Sequence, residues 1–434
     1  MPAARQAVDR ALALNPREAF VLDTLGVTLT RTGDFHRAVP LFEKATVLAP
    51  RAISPLFNLA FGRQYIGDLE GAERAYRRVI ELDPGHERAY LALVEMGRQT
   101  PKRNFIPALE KLFAKAGGDP GHGPVIAHAL ARSQEDLGNY ESALYWLERA
   151  HAHRRQTRPY DPSEDLALFD AAMASAPGAS VAGAPEDAPI FIIGMPRSGT
   201  TLADRILTSH PEVGSVGEFQ AIPHMLKQAA GARTQRLPDA QALRNLGPTD
   251  LERLGPAYLA AAQATGPDRP RLVDKLPFNF FYAGVIHRAL PNARILCMRR
   301  DAMDTCLSNF RQSFAEDSAF HDYAYDLADI ARYHVLFDQL ISHWRDVLPA
   351  DRFMELRYEE LVDQQETQTR RMLDFCGLSW DPRCLMFQEN EAGVSTASAS
   401  QVRQPLFTSS IDRWRRYGDG MAAIAAILGA AGLA

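Results

Sequence analysis

The chain has 434 residues, of which 46% are hydrophobic and 23% charged, as in ordinary globular proteins. This length allows two or three domains, and the formal net charge of −5 gives no reason to expect nucleic acid as a partner. No apolar run is long enough to span a membrane and the N-terminus lacks a signal-peptide pattern, so we expect a cytoplasmic protein. The cysteines lack metal-ligand spacing and are predicted to be buried thiols: Cys297, Cys306, Cys376 and Cys384.

The first 150 residues contain a repeat. Pro16, Pro50 and Pro84 are 34 residues apart, and several pairs keep the same spacing: Gly33 and Gly67, Ala38 and Ala72, Phe42 and Tyr76, Leu48 and Leu82. This period, with small residues at the helix crossings, is the tetratricopeptide pattern, so residues 1–150 are predicted to form an all-α helical-repeat domain. Residues before Pro16 fit only half a unit, which suggests that the array begins earlier. Such stacks commonly hold peptides on a concave surface; mediating a homodimer and bracing the second domain are the alternatives.

The composition shifts over residues 151–188, which are predicted to be a linker. A basic stretch, Arg154-Arg155, and a short helical pattern around Leu166 and Phe169 are followed there by a stretch rich in Ala, Gly and Pro. From residue 189 to 434, apolar runs at 190–193, 271–275, 294–298 and 352–358 alternate with helical patterns. This alternation predicts an α/β domain, a parallel sheet with helices on both sides. Asp301 is predicted to cap the helix after the third run, which is expected to extend as far as Phe314.

The loop at 194–199, between the first predicted strand and the next helix, is the first candidate site. A strand, a glycine-bearing loop and a helix together aim backbone N–H groups and a helix N-terminus at an anion. Arg197, Thr200 and Thr201 would add further donors. The loop is not a Walker A motif, because Gly199 stands where that motif has lysine, and this argues against ATP and GTP. Ligands of parallel sheets bind at the carboxyl ends of the strands, so Lys275, Arg300 and Tyr358 should join the loop in one site.

Several segments resemble one enzyme family. PRSGTTL (196–202) after an apolar strand is similar to the 5′-phosphosulfate loop of sulfotransferases that use 3′-phosphoadenosine 5′-phosphosulfate (PAPS), and HPEVGSVGEF (210–219) resembles their tyrosylprotein branch. Lys275 with Pro277 resembles the family's Lys-x-Pro, and Arg300 with Ser308 its Arg-Asp…Ser element. Residues 398–406 and then 411–414 resemble a segment that folds over the nucleotide, with Arg413 replacing lysine. The resemblance covers residues 189–417.

The resemblance implies PAPS as cofactor, 3′,5′-ADP as product and no required metal. The residues it assigns to the cofactor are Arg197, Ser198, Gly199, Thr200, Thr201, Arg300, Ser308, Tyr358 and Arg413. Its catalytic residues are Glu218 as general base, Lys275 at the bridging oxygen, Arg197, and Ser398 beside the transferring group. Two departures concern the acceptor: the segment before Gly217 is one residue longer than the family pattern, and Phe219 stands where a second glutamate is usual. His224 is a rival base, and Arg311 a weaker phosphate ligand.

We therefore expect sulfuryl transfer from PAPS to an acceptor hydroxyl, with a peptide tyrosine favoured and the repeats available to hold the acceptor peptide or protein. A carbohydrate or small-metabolite hydroxyl is the second choice. Two alternative functions belong to other classes of protein: a nucleotide-binding repeat scaffold without catalysis, and a kinase-like P-loop enzyme. Asp274 as a Walker-B-like magnesium ligand would suit the kinase, whereas sulfuryl transfer gives it a structural role.

Overall fold

The structure is a computed structural model that describes residues 2–175, 189–232, 234, 236–314, 319–390, 402 and 404–433. Two compact units make up the chain, Met1–His153 and Arg154–Ala434. Within the described ranges, no helix combines the length and the hydropathy needed to cross a membrane.

The first unit is entirely helical in its described part. Its helices are α1 (Pro2–Ala13), α2 (Ala19–Arg31), α3 (Phe35–Leu48), α4 (Ile53–Ile66), α5 (Leu69–Leu82), α6 (Glu87–Met96), α7 (Ile106–Ala116), α8 (Gly123–Asp136) and α9 (Tyr140–Thr157), the last of which continues into the second unit. Helices α2, α4 and α6 begin at residues 19, 53 and 87, so their starts are 34 residues apart. Helices α3 and α5 begin at 35 and 69, with the same interval. The helices therefore follow the period of the sequence, and their membership of the tetratricopeptide class stays a prediction.

Small residues and caps explain why these helices pair. A Cβ on Gly26 would lie 2.5 Å from the ring of Phe42, so glycine is what lets α2 approach α3 there. The Asp34 carboxylate accepts a hydrogen bond from the Arg37 amide and begins α3. Asp68, one period later, caps α5 in the same way. The recurring residues thus mark where each helix begins and where pairs cross.

The second unit contains a five-stranded sheet in which every pairing is parallel. Its strands are β1 (Ile190–Gly194), β2 (Val213–Gly217), β3 (Arg271–Asp274), β4 (Arg294–Arg299) and β5 (Phe353–Arg357). The strand order is β2-β3-β1-β4-β5, and β1 is buried along its whole length. The predicted α/β class is confirmed. Because β1 is central, the loops that leave its carboxyl end and those of β3 and β4 converge.

Helices surround the sheet. They are α10 (Pro162–Ala174), α11 (Thr200–Thr208), α12 (Ala221–Ala229), α13 (Ala240–Arg244), α14 (Pro248–Thr265), α15 (Ala283–Ala289), α16 (Ala302–Phe310), α17 (Leu327–Val347), α18 (Tyr358–Asp363), α19 (Gln365–Cys376) and α20 (Ala422–Ala430). Helix α10 lies in the segment predicted as linker, yet it packs on α13 and α17. Its Phe169 is buried and makes an edge contact with Phe281 at 4.9 Å between ring centroids. Residues 154–174 therefore belong to the second unit.

Two local expectations differ from the structure. Strand β2 was not predicted, because VGSVG has no apolar run. Among the described strands it pairs with β3 alone, at the edge of the sheet. Helix α16 ends at Phe310, so Phe314 does not lie on it. Its start is as predicted, since the Asp301 carboxylate accepts from the Asp304 amide. The four cysteines are buried free thiols, also as predicted.

Candidate active site

The loop between β1 and α11 has the backbone of an anion cradle. Three of its residues have positive φ: 147° at Gly194, 69° at Arg197 and 103° at Gly199. A Cβ on Gly199 would come within 2.7 Å of the Tyr358 ring, so both conformation and space require glycine. Helix α11 begins directly after Gly199 and directs its first N–H groups into the loop. The loop thus has the form that the sequence predicted.

Ser198 tests whether the loop fits an anionic group. This residue is 1% exposed, and its hydroxyl has no hydrogen-bond partner among the described residues. Buried hydroxyls nearly always have a partner, so a buried donor at a helix N-terminus fits an anion that accepts from it. The residues present therefore fit the phosphosulfate end of PAPS.

A buried hydrogen-bond chain supports the loop from α16. Asn309 donates to the Pro196 carbonyl at 2.8 Å, and the Tyr323 hydroxyl donates to Asn309 Oδ1 at 3.1 Å. Asn309 is fully buried and Tyr323 is 1% exposed. This chain couples the loop to α16, which also provides Ser308.

We expect Asn309→Ala to lower the free energy of unfolding by about 2–4 kcal/mol, because it leaves the Pro196 carbonyl and the Tyr323 hydroxyl buried and unpaired. Tyr323→Phe removes only one of these bonds and should cost about 1–2 kcal/mol. Urea unfolding of the two variants checks the ranking. Equal losses would mean that Asn309 does not hold the loop.

Arg300, at the carboxyl end of β4, ties three segments together. Its Nη1 donates to the Arg197 carbonyl at 3.0 Å and its Nη2 to the Ser410 carbonyl at 2.5 Å. Its guanidinium lies 4.9 Å from the centroid of the Tyr358 ring, and the Tyr358 and Ser410 hydroxyls are 2.8 Å apart. Arg197 Nε in turn donates to Ser308 Oγ at 3.3 Å. Arg197 in the loop, Ser308 on α16, and the residues that directly follow β4 and β5, Arg300 and Tyr358, are therefore linked by direct contacts.

Glu218 and Lys275 form an ion pair at the ends of the neighbouring strands β2 and β3. Lys275 Nζ lies 2.5 Å from Glu218 Oε1. The lysine side chain is 2% exposed and the glutamate side chain 45% exposed. The Lys275 amide also donates to the Gly217 carbonyl at 2.9 Å, which fixes the two strand ends together. The lysine is thus the buried member of the pair and the carboxylate the accessible one.

Two buried carboxyls lie around this lysine. Burial raises the pKa of Asp204 on α11, and the Lys275 charge opposes that rise. Burial likewise raises the pKa of Asp274 to about 7, against the hydrogen bonds that it accepts. Those bonds come from the Tyr258 hydroxyl at 2.9 Å and the Leu276 amide at 3.1 Å. Both Asp274 oxygens therefore have protein partners, which supports a structural role.

Asp274 should make stability depend on pH. Between about pH 4 and pH 7 the folded protein keeps a proton on this carboxyl that the unfolded chain has released, so unfolding becomes easier as pH rises. Asp274→Asn removes this dependence. We expect the difference in thermal midpoint, variant minus parent, to increase from about pH 4 to about pH 7 and to stay constant above that. Calorimetric scans from pH 4 to pH 8 check it, and a constant difference would contradict it.

A cavity of about 430 Å³ opens over these strand ends. The predicted residues that line it are Arg197, Gly199, Thr200, Thr201, Glu218, Arg300, Ser308, Tyr358 and Arg413, with Arg311 beside them. Ser198 and Lys275 are not among the described lining residues, and Lys275 contacts the site through its ion pair with Glu218. The rival base His224 is exposed on α12 and is not among the described lining residues. Ser398 lies outside the described residues.

Sequence reasoning missed several lining residues. Ser410 is one of them, and its only sequence signal was its place just before the segment 411–414. The unassigned lining residues also include four aromatic side chains that contact one another: Phe278, Phe314, Phe320 and His321. Phe278 directly follows the Lys-x-Pro element, and Phe314 was assigned to a helix face, whereas the segment that holds Phe320 and His321 was assigned no role.

Residues 189–382 match the model of the sulfotransferase family. This segment holds all five strands, the loop after β1, and the Glu218–Lys275 and Arg300–Ser308 pairs. The segment of the second unit that holds the parallel sheet is therefore similar to the sulfotransferase family.

Related proteins extend the comparison. A protein of Aquifex aeolicus described as uncharacterized is 30% identical over 393 residues, which are 88% of this chain and 51% of that protein. The protein-tyrosine sulfotransferase A of Caenorhabditis elegans is 27% identical over 236 residues, 52% of this chain and 60% of its own. Protein-tyrosine sulfotransferase 2 of Gallus gallus is 28% identical over 240 residues, 52% of this chain and 62% of its own. The chain spans about half the length of the first relative and about three fifths of the other two.

Proposed function

We propose that this protein transfers a sulfuryl group from PAPS to an acceptor hydroxyl, with a peptide tyrosine as the favoured acceptor. The observation that carries the proposal is the convergence of four strand ends on one cavity, within the segment that is similar to the sulfotransferase family. The anion loop, the Glu218–Lys275 pair and the Arg300–Ser308 pair all meet there.

The cofactor would be held by two sets of groups. Ser198, Thr200 and Thr201, with the N-terminus of α11, would bind the 5′-phosphosulfate end. Arg300 and Ser308 would bind the 3′-phosphate, because each terminal nitrogen of Arg300 has a second N–H beyond the one given to a backbone carbonyl. When bound, PAPS supplies the sulfuryl group and leaves as 3′,5′-ADP.

Glu218 would act as the general base. It would take the proton of the acceptor hydroxyl, whose oxygen would receive the sulfuryl group that PAPS supplies. Its 45% exposure at the cavity is what makes it accessible to an acceptor. Lys275 would offset the negative charge that grows on the departing oxygen, and its burial makes that charge more effective because little water screens it.

The tyrosine assignment is supported by the similarity to protein-tyrosine sulfotransferases over 52% of the chain. The helical repeats of the first unit offer a surface for an acceptor peptide. A carbohydrate or small metabolite is the second candidate, since a glutamate base serves those hydroxyls equally well.

Transfer of label from radiolabelled PAPS tests the proposal. The acceptors are a tyrosine-containing peptide, the same peptide with phenylalanine, and a mixture of oligosaccharides. Label on the tyrosine peptide alone is the expected result. Label on the oligosaccharides would move the assignment to the second candidate, and label on no acceptor would favour the non-catalytic scaffold.

A further inference from the structure

A buried carboxylate, Asp304, lines the same cavity as the residues assigned to phosphates. It lies on α16, one helical turn before Ser308, and it is 2% exposed. Its Oδ2 is 3.9 Å from Arg300 Nη2 and has no hydrogen-bond partner among the described residues. A carboxylate charge at this position repels the phosphates of a ligand. If phosphate binds here, another contribution of Asp304 must offset that repulsion.

The other oxygen of Asp304 holds a distant part of the chain. Its Oδ1 accepts a hydrogen bond from the Trp414 amide, 110 residues away, at 3.1 Å. Burial raises the pKa of Asp304, and the bond from the Trp414 amide, the Arg300 charge and the bond from the Asp412 amide oppose that rise. Asp304 thus fixes the backbone around Trp414 to α16.

Arg300 holds the chain four residues before Trp414. Its Nη2 donates to the Ser410 carbonyl at 2.5 Å, and the Ser410 and Tyr358 hydroxyls are 2.8 Å apart. Residues 410–414, here called the anchored segment, are therefore fixed at their first residue by Arg300 and at their last by α16. A segment fixed at both ends presents the side chains between them in defined directions.

Arg413 lies between the two anchors and lines the cavity. The residue before it, Asp412, has a φ of 54° and a ψ of 23°. A residue other than glycine adopts this left-handed conformation only at a cost in free energy, so surrounding contacts must impose it. Loss of the bond to Asp304 should release this conformation, and with it the direction of the Arg413 side chain.

We propose that Asp304 is a positioning residue, which holds the anchored segment so that Arg413 faces the phosphates of the cofactor. This inference rests on the proposed function, because it requires a phosphate-bearing cofactor in this cavity. Its expected effect has the opposite sign from that of a purely electrostatic role. A carboxylate that only repels phosphate, or only neutralises Arg300, hinders binding, so its removal would tighten binding. Removal of a carboxylate that positions Arg413 weakens binding instead.

A double-mutant cycle on the affinity of the full chain for 3′,5′-ADP, measured by calorimetry, tests the proposal. We expect Arg413→Ala to weaken binding roughly tenfold, the worth of one hydrogen bond to a charged group, and Asp304→Ala to weaken it roughly three- to tenfold. The double variant should bind no more weakly than Arg413→Ala, because Asp304 acts through that side chain. Asp304→Asn should lose less affinity than Asp304→Ala, since its amide oxygen can still accept from the Trp414 amide.

Two further variants keep the cycle interpretable. Asp374→Ala removes an exposed carboxylate from α19, so it controls for the change in overall charge and should leave the affinity unchanged. Thermal unfolding shows whether each variant folds. If Asp304→Ala does not fold, Asp304→Ser takes its place, because its side chain is polar but too short to keep the bond to the Trp414 amide.

The outcomes separate this role from the proposed function. If 3′,5′-ADP binds the parent and binds Asp304→Ala equally or more tightly, the positioning role is overturned while the cofactor assignment stands. Additive losses in the double variant would also overturn it, because Asp304 would then act independently of Arg413. If 3′,5′-ADP does not bind the parent, the proposed function fails and the positioning role fails with it.

Discussion

Glu218→Gln is expected to reduce turnover by roughly 10²–10⁴-fold while leaving the affinity for 3′,5′-ADP within about twofold, because a positioned general base contributes that much. Glutamine keeps the shape of the side chain and an oxygen that can accept from Lys275, so the buried ammonium retains a partner. What is lost is the capacity to take a proton. Turnover is measured with saturating PAPS and a tyrosine peptide, and affinity by calorimetry.

The matched control is Glu212→Gln, a change at an exposed carboxylate just before β2, which should leave turnover unchanged. His224→Ala tests the rival base and should also have no effect, since His224 is not among the described residues that line the cavity. Unchanged turnover in Glu218→Gln would contradict the base assignment. A large loss in His224→Ala would transfer the role to that histidine.

Arg300→Ala is expected to weaken binding of 3′,5′-ADP by roughly 10–100-fold more than binding of 5′-AMP, the worth of one or two hydrogen bonds to a charged group. Arg300 also holds the Arg197 and Ser410 carbonyls, so the variant should lose some affinity for both nucleotides. The shared loss cancels in the ratio of the two affinities. What remains reports on the 3′-phosphate, because only 3′,5′-ADP carries one.

Ser308→Ala should lower the same ratio by a smaller factor, since it removes one hydroxyl that now accepts from Arg197. Arg332→Ala, which removes an arginine 59% exposed on α17, is the control for a change in overall charge and should leave the ratio unchanged. Equal losses of both nucleotides in Arg300→Ala would show that Arg300 does not recognise the 3′-phosphate.

Much of the α/β fold could be predicted because buried parallel strands are continuous apolar runs. Ile190–Gly194 and Arg294–Arg299 lie side by side at the centre of the sheet, and both are visible in the sequence. The predicted convergence of Lys275, Arg300 and Tyr358 followed from a general property of parallel sheets, and the structure shows each at a strand end. Strand β2 gave no such signal, because an edge strand with two glycines need not be apolar.

The features that escaped prediction depend on contacts between residues distant in sequence. Ser410 bonds to Arg300 and Tyr358, which lie 110 and 52 residues away. Phe314 was assigned to the face of α16, but the helix ends at Phe310 and Phe314 stacks on His321 instead. The helical pattern of α10 around Leu166 and Phe169 is visible in the sequence, but it was placed in the linker because nothing local indicates that it packs on α13 and α17. Local sequence patterns predict helices and strands, whereas contacts between residues distant in sequence depend on how those helices and strands pack.

Calorimetric titration with 3′,5′-ADP, with 5′-AMP and ATP as comparisons, tests the central claim most directly. The loop after β1 and the Arg300–Ser308 pair predict that the bisphosphate binds at least about tenfold more tightly than 5′-AMP, through the bonds to its 3′-phosphate. Binding of ATP as tight as that of 3′,5′-ADP would contradict the account and favour a kinase-like enzyme, and absence of binding to all three would contradict any nucleotide-dependent function.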